Sequence, residues 1–366
     1  SIYNLADTFF VSKLGTSATG AVGVVFSLMA IIQAVGFMLG MGSGGYISRL
    51  LGQKQNDKAN EVASSAFFTA AILGLAITLF GTLFMDTLMR ALGATETILP
   101  YAEDYARVIL LGAPFMCTSF VMNNDLRAEG QAVLAMLGIG FGGLLNMVLD
   151  PVFIFTFDMG IQGAAIATVI SQCISASLVL RCMVKDTGPL HLDLKKMRLH
   201  PQAMRQILRI GLPAGFQGIL FSLSNVVIQS SVNTFGEVIM AGNSAAANIE
   251  QFVYVSMNAM YQATISFTSQ NYGAGNYHRI RKIMIRAQGC VLVVGLVLGN
   301  AATLAGRVLL SIYTTSPPVI EAGLVRMGIV CTTYALCGMM DVMVGGLRGI
   351  GSVSYTHLTL PTILLV

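Results

Sequence analysis

Leu144-Leu145-Asn146-Met147-Val148-Leu149-Asp150-Pro151-Val152-Phe153-Ile154-Phe155 sets a carboxylate inside an apolar run. The residues around it are apolar, Gly or Asn, so no adjacent loop could carry Asp150 into water. Ionisable groups are costly in a bilayer, and those that occur there usually face a cavity on an ion, proton or substrate path. Asp7, in Tyr3-Asn4-Leu5-Ala6-Asp7-Thr8-Phe9-Phe10, has a similar setting. It lies eight residues before Gly15, about 12 Å along a helix and so inside the apolar slab.

Composition makes the surrounding run a membrane segment. Of 366 residues, 55% are hydrophobic and 10% charged, against about 25% charged in soluble domains. The net charge of +4 comes from loop clusters and points to orientation rather than to nucleic acid. Six cysteines are scattered without a CxxC, and the four histidines lie outside the apolar segments. Neither a zinc site nor a disulfide framework is indicated.

Apolar runs of spanning length are expected near 1–12, 19–47, 61–84, 101–122, 131–155, 161–183, 211–234, 238–268, 284–312 and 319–344. Basic residues gather in loops of one parity: Arg49, Lys54 and Lys58; Lys185, Lys195, Lys196, Arg198, Arg205 and Arg209; Arg279, Arg281, Lys282 and Arg286. Loops of the other parity hold Asp86, Glu96, Glu103, Asp104 and Asp158, with Lys13, Arg90 and Arg107 as their basic company. The positive-inside rule therefore puts loops 2–3, 4–5, 6–7 and 8–9 in the cytoplasm.

An internal repeat suggests two lobes. Sliding the chain by 221 positions, from 52 to 273, places Gly52 on Gly273 and Leu126-Arg127 on Leu347-Arg348. Gly15 then falls on Gly236, Gly74 on Gly295 and Gly130 on Gly351. Six spans per repeat make each lobe an even bundle, so the lobes are expected to run parallel, related by a pseudo-two-fold along the membrane normal. The organisation expected is an N-lobe over 1–184, a cytoplasmic linker over 185–210 and a C-lobe over 211–351. Pro201 can open a short interfacial helix within the linker; a solvated linker fits equally. The chain starts without Met inside an apolar segment, so the first helix is expected to be partial. Residues 352–366 break the pattern and read as a non-native tail, with the last two helices missing.

Two Gly patterns are packing rather than nucleotide motifs. Gly138-Ile139-Gly140-Phe141-Gly142-Gly143 satisfies GxGxxG, but no strand or βαβ unit surrounds it. Gly36, Gly40 and Gly44 form a small-residue stripe for close helix approach. GxxxxGK[ST], HExxH and GxSxG are absent, which argues against an ATP-driven pump or an intramembrane hydrolase. The chain is not expected to be an enzyme.

Several of these segments together resemble the multidrug and toxic compound extrusion (MATE) transporters. They are Tyr3-Asn4-Leu5-Ala6-Asp7-Thr8-Phe9-Phe10-Val11 with Leu14-Gly15, Ile47-Ser48-Arg49-Leu50-Leu51-Gly52, Leu126-Arg127-Ala128-Glu129-Gly130, Asn146 to Pro151, and Leu347-Arg348-Gly349-Ile350-Gly351. The DinF-like branch is the nearest in pattern, with this chain truncated at both ends. The resemblance implies an all-α polytopic protein of a prokaryotic plasma membrane that works as a monomer. It implies a cation-coupled antiporter, driven by Na⁺ or H⁺ and without other cofactors, that exports amphipathic, often cationic compounds. Archaeal and DinF-like members bind the coupling cation at positions matching Asp7, Asn146, Asp150 and Thr168, and an Asn matching Asn123 lines the same cavity.

The residues make chemical sense of that set. Asn146 and Asp150 are four apart and share a helix face. Carboxylate, amide and hydroxyl oxygens suit Na⁺ or a shared proton rather than a transition metal. Asn123 and Thr168 also fit simple hydrogen bonding between helices, and Asp150 a structural role at a Pro151 kink. Asp341 and Glu250 are further candidate cavity acids in the C-lobe, Glu250 with a structural or interfacial role equally open. The NorM-like branch carries a Glu on its seventh helix, which Phe216-Gln217-Gly218 lacks, favouring coupling in the N-lobe. Twenty-one Met, 19 Phe and 11 Tyr supply adaptable apolar surface for varied ligands, or lipid-facing filler. A flippase for a lipid-linked saccharide is the alternative; it would need cavity cations, and the spans hold almost none.

Overall fold

A computed structural model describes residues 10–11, 13–185, 188–192 and 198–352. Among the described residues nine long helices occur: α1 (Thr16–Gly52), α2 (Asn56–Leu83), α4 (Leu99–Glu129), α5 (Ala132–Pro151), α6 (Gly160–Lys185), α7 (Pro201–Asn233), α8 (Glu237–Gly273), α9 (Tyr277–Leu304) and α11 (Pro317–Gly349). Two short helices, α3 (Met85–Ala91) and α10 (Gly306–Ser311), cap turns, and a π-helical turn over Val152–Thr156 continues α5. No strand occurs among the described residues. Among the described residues eight helices are long and apolar enough to cross a membrane. Their large apolar side chains are turned outward, as on α5, where Val133, Leu137, Leu144 and Val148 are exposed. The protein is an all-α, multi-pass membrane protein.

Helix positions follow the expected spans, with informative differences. The first, near 1–12, lies almost wholly outside the described residues. α4 runs seven residues beyond the expected end at 122, to Glu129. The short helix expected to open at Pro201 is the first part of α7, which continues through Pro213 to Asn233. α8 has the length of a span but is not among the eight apolar enough, because Asn243, Ser244, Asn248, Glu250 and Gln251 interrupt its apolar run.

The chain divides into two compact units. One comprises residues 1–47 and 55–215, the other residues 48–54 and 216–366. In the first, α4 is the central helix and is mostly buried, whereas α2 and α5 are largely exposed. It packs on α2 and α6, and α5 packs on α6. Pro114 lies inside α4 and has no N–H for the Leu110 carbonyl. Thr78 of α2 supplies the missing donor, its Oγ1 donating to Leu110 O at 2.5 Å. Gly74, one turn earlier on α2, lets the helices approach so closely that a Cβ there would strike Pro114.

In the second unit α11 packs on α8 and α9. Its packing repeats that of the first unit in register. Gly295 of α9 abuts Ala335 of α11, 2.7 Å from a Cβ placed on the glycine. Both residues stand 221 positions beyond Gly74 and Pro114. The contact of Gly40 with the Asn124 side chain has its counterpart between Tyr261 and Gly345, with the small residue moved to the opposite helix. The turn glycines match as well. Gly15 and Gly236 have φ of 124° and 94°, and Gly130 and Gly351 have 105° and 82°, a region open to glycine without Cβ penalty.

Candidate functional site

The site in the first unit is built on one stripe of α5. Its buried residues are Ala135, Gly138, Gly142, Asn146 and Asp150, the last four spaced every fourth residue and therefore on one face. The opposing stripe on α6 holds Thr168, Ser171, Ser175 and Val179, all buried. The glycines set the approach. A Cβ on Gly142 would lie 2.8 Å from Ser175 Cβ and 3.3 Å from Ser171 O. Ser175 Oγ donates to Gly138 O at 2.7 Å and ties the helices together.

Two turns further along this seam the glycines give way to polar side chains. Asn146 Nδ2 donates to Asp150 Oδ1 at 3.0 Å and to Thr168 Oγ1 at 3.2 Å. Asp150 is 0% exposed, and Asn146 and Thr168 are each 2% exposed. The amide thus bridges a carboxylate on its own helix and a hydroxyl on the next. Asn146 Oδ1 and Ser171 Oγ are buried and take part in no hydrogen bond among the described residues. Immediately after Asp150, Pro151 cannot donate to the helix, and the chain passes into the π-helical turn, with Phe157 N bonded to Val152 O at 3.0 Å. Such turns inside helices are frequent at functional sites. Gly163 of α6 sits against this turn, 2.7 Å from Phe153 O to a Cβ placed on it.

Three of the sequence candidates therefore come together: Asn146, Asp150 and Thr168. Asp7 lies outside the described residues. Asn123 is buried on α4, but its Nδ2 bonds stay within that helix, to Ser119 O at 2.7 Å and Ser119 Oγ at 3.3 Å. Glu250 and Asp341 belong to the second unit. Arg326 of α11 grips Glu250 with two hydrogen bonds, Nε to Oε1 at 2.9 Å and Nη2 to Oε2 at 2.8 Å. The same guanidinium bonds Asn243, which reaches Gln229 of α7. Glu250 is thus the anionic half of an ion pair joining α8 to α11. Asp341 is half-buried on α11, two turns before Arg348 and within its electrostatic reach. Arg348 is buried, with hydrogen bonds to Tyr261 and Gln217.

Sequence reading missed a buried acid. Asp125 of α4 is 1% exposed and accepts a hydrogen bond from Ser43 Oγ of α1 at 2.6 Å. With the span ending at 122, Asp125 reads as a loop charge; with α4 running to Glu129, it lies a turn inside. The Gly36-Gly40-Gly44 stripe was the available signal, because it packs on Cys117, Phe120 and Asn124 of α4. Among the described residues no three His, Cys, Asp or Glu side chains converge as a metal site.

The MatE family pattern matches residues 1–152 and 213–360, which include Asn146, Asp150 and Asp341 but not Thr168. The multidrug export protein MepA of Staphylococcus aureus (strain MSSA476) is 27% identical over 353 residues, 96% of this chain and 78% of its own. A solved structure described as the outward-facing conformation of a multidrug resistance MATE family transporter of the MOP superfamily is similar, with a TM-score of 0.91 and 29% identity. The match covers 97% of this chain and 79% of that one. A crystal structure of MATE in complex with MaD3S has a TM-score of 0.90 at 29% identity, over 97% of this chain and 79% of its own.

Proposed function

The chain belongs to the MatE family, whose members are transporters rather than enzymes, and from that premise we propose a cation-coupled antiporter that exports amphipathic, often cationic compounds. The multidrug export activity named for its relatives supports the substrate class. The observation that carries the coupling is the Asn146-bridged pair of Asp150 and Thr168, fully buried beside a π-helical turn. Asp7 is proposed as the second acid of this site. Loops 2–3, 4–5, 6–7 and 8–9 are assigned to the cytoplasm, in a prokaryotic plasma membrane.

A bare carboxylate is costly in low dielectric, and binding a proton or Na⁺ removes that cost. Asn146 Oδ1 and Ser171 Oγ, buried oxygens outside any hydrogen bond among the described residues, fit such a hard cation. Neutralising Asp150 weakens its charge-assisted bond from Asn146, and the amide that holds α5 to α6 at Thr168 then shifts. The π-helical turn, free of a regular ladder at Pro151, takes up that shift. Export follows if the cation-bound arrangement holds the compound less tightly than the cation-free one; equal affinities would move nothing.

Everted membrane vesicles loaded under separate pH and Na⁺ gradients test this. Accumulation of a fluorescent cationic compound driven by one of the gradients is expected and names the ion. Accumulation indifferent to both gradients would overturn the coupling.

A further inference from the structure

In the second unit, α8 and α9 face each other across a cavity of ≈ 580 Å³. Arg279, Lys282 and Arg286 of α9 line it, at i, i+3 and i+7 and so on one helix face. Met260, Ala263 and Phe267 of α8 form the opposite wall. A short turn joins the C-terminus of α8 to the N-terminus of α9, so the cavity is polar at the helix ends and apolar toward the middle of the spans. From Arg279 to Cys290, which also lines it, the helix rises roughly 16 Å, about half the thickness of a hydrocarbon core.

Folding gives no reason for these cations to sit here. Arg279 lies in the first turn of α9, where the helix dipole disfavours positive charge, and the three cations repel one another along the face. Among the described residues no carboxylate pairs with any of the three. An orientation signal alone would be met by exposed cations outside the cavity, such as Arg281. We propose that this cavity binds an anionic phospholipid, its phosphate on Arg279, Lys282 and Arg286 and an acyl chain against Met260, Ala263 and Phe267. A cationic mouth above an apolar groove at a membrane surface has the chemistry of a lipid site. A soluble phosphate would use the cations and leave the apolar wall bare.

Native mass spectrometry of the purified, delipidated protein, titrated with phosphatidylglycerol or phosphatidylcholine, reads the binding directly. Selective retention of phosphatidylglycerol is expected, with a rise in Tm that phosphatidylcholine does not give. Arg279→Gln/Lys282→Gln/Arg286→Gln should weaken that retention roughly 100-fold, on a factor of about five per cation. Arg281→Gln should leave it unchanged, and Ala263→Leu should weaken it without altering charge. Equal retention of both lipids, or a triple variant that binds like the parent, would overturn the proposal. So would inorganic phosphate reproducing the Tm rise while Ala263→Leu had no effect, since that would mark a site for a soluble anion. The readouts are independent of transport, so they stand apart from the coupling site.

Discussion

Glu250 shows how much a buried acid owes to its partner. It is nearly inaccessible, and Arg326 meets both of its carboxylate oxygens. Removing one member of such a pair strands a buried charge and costs about 3–5 kcal/mol, whereas replacing both with apolar residues is often neutral. Arg326→Met is therefore expected to lower Tm sharply, and Arg326→Met/Glu250→Met to restore most of the loss. A silent single variant would show that the pair carries no stability. Thr78 is the neutral counterpart. Thr78→Val leaves the Leu110 carbonyl beside Pro114 without its hydroxyl donor, at a cost of about 1–3 kcal/mol, read as a drop in Tm. Neither partnership is legible in the sequence: Arg326 is 76 positions from Glu250 and Thr78 is 32 from Leu110. Local spacing carries no trace of contacts made only after helices pack.

Helices tell more than single residues do. The i, i+4 spacing of Asn146 and Asp150 is enough by itself to put both on one face. The same spacing, continued backward through Gly142 and Gly138, reads in the sequence only as a packing motif, yet it is one stripe with the polar pair. Glycines bring α5 and α6 together, and the polar side chains meet because of that approach. Gly142→Leu should thus wedge the helices apart and break the bond between Asn146 and Thr168. The expected outcome is a folded protein with most gradient-driven transport lost, while Leu144→Ala, on the exposed face of α5, transports normally. Full transport by Gly142→Leu would separate the site from the helix packing. Asp125 escapes a sequence reading at this scale too, because apolar runs mark the hydrocarbon slab and α4 extends beyond it.

At the scale of the whole molecule the repeat is legible from glycines and one Leu-Arg pair, because turns with positive φ and close helix crossings accept few other residues. Gly40 against Asn124 and Tyr261 against Gly345 keep the close approach while the small residue moves to the opposite helix. The polar content of the units has diverged: the first holds the Asn146-bridged pair, and the second the Arg326–Glu250 pair and Arg348 with Tyr261 and Gln217. That asymmetry is why coupling is assigned to the first. The most direct measurement is cation flux evoked by substrate in proteoliposomes, comparing the parent protein with Asp150→Asn. The parent is expected to move H⁺ or Na⁺ against the exported compound, and Asp150→Asn to bind the compound yet evoke no cation flux. Undiminished flux in Asp150→Asn would contradict the assignment of coupling to this carboxylate.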